Sequence, residues 1–263
     1  MGIINVTPDS FADGGLRFDA TRAVDDGLRL IDDGADILDV GGESTRPGAE
    51  PVPVDEELRR VIPVVEGLAS KAALVSVDTY KALVAREALA RGAVIVNDIS
   101  GLQHDAQLGA VVAAAGAALI LMHTRGTSRD MYREARYDDV AREVGDELRQ
   151  AIDRAVDAGV DRDALIVDPG LGFAKKAAHS YQALASLEAL AAALDRPILV
   201  GPSRKSFLKA AVGDVPPGER EWGTAGAVAA SVLLGAHIVR VHGVREMVQV
   251  IRFADQVRAA RPV

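Results

Sequence analysis

Short apolar runs recur along the chain, each separated from the next by a longer stretch whose apolar residues return every three or four positions. The runs are Ile3–Val6, Asp36–Val40, Leu74–Val77, Val94–Asn97, Ala118–Leu121, Leu165–Val167, Ile198–Val200 and His237–Arg240. Runs this short and nearly continuous read as strands covered on both faces, since a half-exposed strand would alternate. The intervening stretches read as helices. Ala23, Leu28 and Ile31 share one face of the first, and Val140, Val144, Leu148 and Ile152 line another. Strands alternating with helices predict parallel pairing, and eight such units close into a single α/β domain, a (β/α)8 TIM barrel over residues 1–263. A doubly wound open sheet is the other architecture this pattern allows.

The repeat is punctuated by glycine. Gly34-Ala35, Gly92-Ala93, Gly116-Ala117 and Gly235-Ala236 each stand just before a strand. A glycine there fits a helix C-terminus that turns through positive φ. Aligned on these glycines, the fifth residue onward is Asp39, Asn97, Leu121 and Arg240, and the seventh is Gly41, Ile99, His123 and His242. Positions two apart share a strand face, so both sets point the same way at the strands' C-terminal ends. The remaining strands end in Asn5, Asp78, Asp168 and Ser203-Arg204-Lys205. Polar groups are costly as barrel filler and belong at a barrel's rim, where function in this fold sits.

Length and composition narrow the picture. At 263 residues the chain suits one barrel of roughly 250 residues. It has no cysteine, which excludes disulfides, cysteine-ligated metals and thiol catalysis. A net charge of −8 argues against a nucleic-acid partner, so an anionic ligand needs a local cluster of cations. No apolar run approaches the ~20 residues of a membrane span, and no secretory leader pattern opens the chain, so a cytoplasmic protein without a membrane partner is expected.

Five rim segments carry candidate chemistry. Asn5–Gly15 holds two acids, a proline, an aromatic ring and a glycine pair, which suits a lid and equally a surface turn. Gly41–Ala49 offers the Ser44 and Thr45 hydroxyls and the Arg46 fork, which matches phosphate or carboxylate oxygens unless Glu43 takes it. Asp168 at a strand end can accept two parallel hydrogen bonds from an amidine-like ring edge, or cap the turn that follows. Arg204 and Lys205 at a helix start oppose the macrodipole, which a bound anion would explain. Arg240 and His242 face one side and can clamp a diphosphate. No HExxH, P-loop or GxGxxG pattern is present.

Taken in order, these segments resemble the dihydropteroate synthase family of pterin-binding enzymes. The motifs are NVTPDSFADGG (5–15), GGESTRPGA (41–49), VDT (77–79), NDISG (97–101), MH (122–123), DPGLGF (168–173), SRKS (203–206) and RVH (240–242), and they span nearly the whole chain. The resemblance implies condensation of 6-hydroxymethyl-7,8-dihydropterin diphosphate with p-aminobenzoate, in folate biosynthesis. It implies that Asp78, Asn97, Asp168 and Lys205 hold the pterin beside Ile99, Met122 and Phe173. Arg46, Arg240 and His242 would hold the diphosphate, Asn5 would help bind Mg²⁺, and Phe11, Thr45, Pro47 and Ser206 would shape the p-aminobenzoate pocket. Asp13 would help order a closed state, with Asp78, Lys205, Arg240 and His242 in the catalytic machinery. A homodimer is implied as well. Two departures stand out: Ala174 replaces a frequent glycine and Gly243 a frequent aspartate, the latter removing a carboxylate next to His242. They keep a catalytically silent pterin-binding paralogue in view. A methyltetrahydrofolate-type methyltransferase is a further alternative, one with no need for STRPGA or SRKS.

Overall fold

The computed structural model of the protein describes residues 1–7, 16–44, 48–126, 131–133 and 135–261, with the backbone alone for 16–19. Among these residues eight strands alternate with helices: β1 (Gly2–Asn5), β2 (Leu38–Gly41), β3 (Val75–Asp78), β4 (Ile95–Asp98), β5 (Ala118–Met122), β6 (Leu165–Asp168), β7 (Leu199–Val200) and β8 (Ile238–Val239). All pairings are parallel. β1 to β6 form one sheet in sequence order, and β7 and β8 form a second. Single bridges, Val167 to Ile198 and Gly2 to Val241, join the two sheets into a ring. The closed barrel is thereby the architecture adopted, and the open sheet is excluded.

The helices that follow the strands include α1 (Leu16–Asp32), α2 (Val54–Ala69), α3 (Ala82–Ala90), α4 (Leu108–Ala115), α5 (Val140–Asp157), α6 (Ala177–Ala185), α7 (Leu187–Leu194), α8 (Lys209–Val212), α9 (Glu221–Leu233) and α10 (Val244–Ala259). The glycines that close the repeats do adopt positive φ, at 105° for Gly34, 103° for Gly92, 61° for Gly116 and 93° for Gly235. α5 buries Val140, Val144, Leu148 and Ile152, and its start is capped by Asp139 accepting from the Arg142 N–H at 3.1 Å. In α1 the buried face differs from the expected one. Ala23 and Gly27 lie at its centre with Ala20, Val24, Leu30 and Ile31 beside them, and Leu28 turns toward its edge. A side chain at Gly27 would sit 2.7 Å from Leu68 and 2.9 Å from Ile4, so glycine lets the helix approach the sheet. No described helix is long and apolar enough to cross a membrane.

Outward strand residues, among them Leu38, Val40, Val75, Val77, Val96 and Val167, pack under the helices in the main apolar core. Inside the ring, Ile95, Ile120 and Leu199 pack with Met1, Ile37, Ala118, Ile166 and Ile238. Two residues further along the same strands, on the same inward face, come Asp39 after Ile37, Asn97 after Ile95, Asp168 after Ile166 and Arg240 after Ile238. The barrel interior thus changes from hydrocarbon to charge within one strand repeat.

Candidate active site

A single hydrogen-bonded network occupies the middle of the mouth. Arg240 donates from Nε to Asp39 Oδ2 at 2.6 Å and from Nη2 to Asp78 Oδ2 at 2.8 Å. Asn97 donates from Nδ2 to the same Asp39 oxygen at 3.0 Å. Asp39 is fully buried, while Arg240 keeps one edge accessible. Burial pushes the Asp78 carboxyl up to about 7 against the opposing pull of Arg240, and Asp39 nearby raises it further. Burial also works against the charge of Arg240, but the two carboxylates outweigh it and raise its affinity for its proton. The guanidinium stays charged and held in place.

Beside this network lies the turn after β6. Asp168 Oδ1 accepts from Gly170 N–H at 2.7 Å, so the carboxylate caps its own turn while its other oxygen makes no hydrogen bond among the described residues. Lys205 reaches across from the turn after β7. Its Nζ donates to the Leu171 carbonyl at 2.6 Å and stands 4.6 Å above the Phe173 ring. A methyl group at Gly201 would lie 3.8 Å from both Lys205 Nζ and Arg240 Cβ, which places the two cations together. Burial raises the Asp168 carboxyl and Lys205 opposes the rise; burial lowers the Lys205 amine to about 8, with Asp168 opposing in turn. Met122, paired with Asp168 in the β5–β6 register, is buried at the same level. Ile99, one residue past β4, is half-buried.

The outer residues are arranged as follows. His242 Nδ1 lies 2.9 Å from Ser203 Oγ, whose oxygen also accepts from the His242 N–H at 3.3 Å. That contact orients the imidazole where an aspartate at 243 is missing. A Cβ at Gly243 would sit 3.1 Å from Oε2 at the end of the exposed Glu246 side chain, which would have to shift by a few tenths of an ångström to admit it. Ser206 is exposed at the rim, with Tyr132 OH 3.5 Å from its Oγ. Asn5 ends β1 opposite Gly41, half-buried. Arg204 does not face the mouth. It forms an ion pair with Glu221, and that carboxylate removes the need for a bound anion at this position. The expectations for Phe11, Asp13, Thr45, Arg46 and Pro47 lie outside the described residues. Glu43, named as a possible partner for Arg46, is taken by Lys81 at 2.6 Å and Tyr80 at 2.5 Å.

Ala174 sits at φ 47° and is fully buried, so positive φ is indeed required at this position. A left-handed alanine costs about 1–2 kcal/mol. The buried methyl returns about 0.8 kcal/mol of that. At positive φ the smaller unfolded-state entropy of alanine does not make up the rest, so the departure is mildly destabilising.

Behind Asp168 runs a chain of polar groups to which the sequence assigned no role. Lys175, fully buried, donates from Nζ to His123 Nδ1 at 2.7 Å and to the Phe173 carbonyl at 3.1 Å. His123 Nε2–H then donates to Glu147 at 3.1 Å, and Arg125 pairs with Glu147 and Glu143. Burial lowers the His123 imidazole to about 4 and the Lys175 amine to about 7, the latter opposed by Asp168. An unfolded lysine keeps its proton to about 10.4. Between about 7 and that value the unfolded chain therefore binds more protons, and stability rises with pH; below about 7 the full cost of the buried charge remains. Urea unfolding from pH 7 to about 9.5 should show this rise in the wild type and a smaller one in Lys175→Met. Equal rises would refute the assignment.

Fold and rim together define a barrel enzyme whose chemistry lies at the C-terminal ends of its strands. The chain belongs to the pterin binding enzyme family, which matches residues 1–242. It is 48% identical, over 97% of its length, to the probable bifunctional folylpolyglutamate synthase/dihydropteroate synthase of Haloferax volcanii, of which it spans only 30%. It is 47% identical to the dihydropteroate synthase of Mycobacterium leprae, covering 96% of this chain and 90% of that protein. Among solved structures, Xanthomonas albilineans dihydropteroate synthase with 4-aminobenzoic acid superposes with a TM-score of 0.92 at 44% identity, covering all of this chain and 93% of the other.

Proposed function

We infer that the chain is a dihydropteroate synthase, joining 6-hydroxymethyl-7,8-dihydropterin diphosphate to p-aminobenzoate with release of diphosphate. One observation supports this reading above the others: an acceptor, Asp168, and two exposed-edge cations, Lys205 and Arg240, share one mouth with Asn97 and Asp78. Asp168 receives the 2-amino and N3–H donors of the pterin. Asn97 and Lys205 meet the remaining polar edge, and Phe173, Met122 and Ile99 pack on the ring. Arg240 and His242 receive the diphosphate. The C–O bond at the pterin methyl breaks with its electron pair leaving on diphosphate. The charge gathering there is met by fixed cations, which lowers the barrier without rearrangement. Asp78 and Asp168 lend negative potential to the electron-deficient pterin methyl. The arylamine nitrogen, neutral near pH 7, forms the new C–N bond and then loses a proton to solvent.

Ser206 supports a p-aminobenzoate site at the rim; Phe11, Thr45 and Pro47 there, Arg46 at the diphosphate and Asp13 in the closed state rest on the resemblance alone. Among the described residues no three acidic or histidine side chains gather around a metal position, and Asn5 offers one oxygen. That donor set fits Mg²⁺ taken up with the diphosphate, because Mg²⁺ keeps few protein ligands and binds substrate phosphates. Bound there, it would neutralise leaving-group charge. A cytosolic homodimer belongs to the same reading. The contact between Ser203 and His242 favours the active enzyme over a silent pterin binder, since the imidazole has its orienting partner.

Purified protein given Mg²⁺ and both substrates is expected to release diphosphate and form 7,8-dihydropteroate. Pterin binding without turnover would select the silent paralogue.

A further inference from the structure

Asp39 has no part in the family roles assigned above, but it ties Asn97 on β4 to Arg240 across the mouth. It is fully buried at the centre of the barrel. One of its oxygens, Oδ2, accepts from Nε of Arg240, the residue after β8, at 2.6 Å and from Asn97 Nδ2 on β4 at 3.0 Å. Its other oxygen, Oδ1, is buried without a hydrogen-bond partner. A half-satisfied buried carboxylate is costly, and an apolar side chain of similar size would fill the position more cheaply. What it achieves is orientation. An amide can present either its oxygen or its nitrogen, and Asp39 fixes Nδ2 inward, so that Asn97 turns its oxygen away from the carboxylate. A guanidinium on a long stem can swing; Asp39 and Asp78 pin its Nε and one Nη2 hydrogen, leaving Nη1 and the other Nη2 hydrogen for a ligand.

We propose that Asp39 is a positioning residue which, through a single oxygen, locks the Asn97 amide and the Arg240 guanidinium into one rigid template, so that the pterin end and the diphosphate end of the substrate are aligned together. The proposal rests on the synthase reading. It adds to that reading a coupling between two groups that never touch. A fixed template places the pterin methyl and its leaving group without a search, and a loosened one loses rate even while each end still binds.

Three measurements test it. In Asp39→Asn, kcat is expected to fall about 100-fold and affinity for inorganic diphosphate about tenfold, with the KM for p-aminobenzoate within about twofold of wild type. A merely structural role would lower thermal stability and leave kcat per folded molecule intact, which would overturn the proposal. The second measurement needs no change at Asp39. With the carboxylate present, Asn97→Ala and Arg240→Ala, scored as affinity for the dihydropterin diphosphate by calorimetry, should be non-additive by at least about threefold. Additivity would overturn the proposal even if every Asp39 variant fails to fold. The third separates the two claims. If wild-type protein makes no dihydropteroate, the synthase reading fails. The calorimetric coupling between Asn97 and Arg240 then still decides whether Asp39 joins them.

Discussion

Asp168→Ala is expected to reduce affinity for the dihydropterin by about 100-fold or more, because two hydrogen bonds to a charged, buried acceptor are worth roughly 1.5–3 kcal/mol each. The carboxylate sits at the end of β6, where the β5 and β6 register sets its height, and its turn is fixed by Gly170, whose φ of 67° and contact with the His123 carbonyl leave no room for a side chain. Among the described residues of the mouth, no other carboxylate can replace it. Asp78 faces Arg240, and Asp39 is closed off below. Asp168→Asn should fare little better, since it presents a donor to a ring edge that also donates. Calorimetry with the dihydropterin diphosphate reads the effect. Unchanged affinity in the alanine variant would remove Asp168 from the site and take the pterin assignment with it.

Arg240→Ala carries the second large effect, on stability as well as binding. It strands the Asp39 and Asp78 carboxylates, and breaking a buried ion pair by deleting one partner costs about 3–5 kcal/mol. The sign of the pH dependence follows. Even with Arg240 present, the Asp78 carboxyl stands near 7, above its unfolded value, so its contribution favours the fold at acid pH and is lost as pH rises toward 7. Removing the guanidinium steepens that loss. Urea unfolding should therefore show a large deficit for the variant at about pH 7.5 and a smaller one near pH 4.5, where the stranded Asp78 carboxyl takes up a proton. Affinity for inorganic diphosphate should fall at least tenfold, the order expected for losing one charge-assisted pair. A deficit independent of pH would mean that the two carboxylates do not depend on Arg240.

Sequence reading reached the barrel and several of the polar residues that converge at its rim because both are written in local repeats. The glycine before a strand marks where the chain turns. Counting five residues onward from it gives inward rim positions at Asp39, Asn97 and Arg240, which the sequence alone therefore exposes. On β5 the count slips by one: Ile120 lies inside the ring and Leu121 in the outer core, so His123 shares the outward face and meets Glu147 of α5 instead of the mouth. The task of Asp39 stayed hidden, since it depends on which strands face each other across the ring. Asp39 meets Arg240 over 201 positions of chain, a contact no periodicity encodes. Glu147 and Arg125 were invisible for the same reason: a glutamate on a polar helix face looks solvated until the helix is docked against the turn after β5. Arg204 misled in the opposite direction. Its place beside Lys205 suggested an anion site, but positive φ at Arg204, 59°, turns it toward Glu221 on α9.

The junction between the two sheets has a consequence for how the molecule comes into being. β1 and β8 are held there by one bridge and a few main-chain contacts, including the Ile3 N–H to the Val241 carbonyl and the Val241 N–H to the Met1 carbonyl. The arginine that crosses from β8 to Asp39 and Asp78 acts as the clasp of the ring. Without that arginine the sheet would hold two buried acids side by side with no cation between them. Closing the ring and neutralising its centre therefore depend on one side chain.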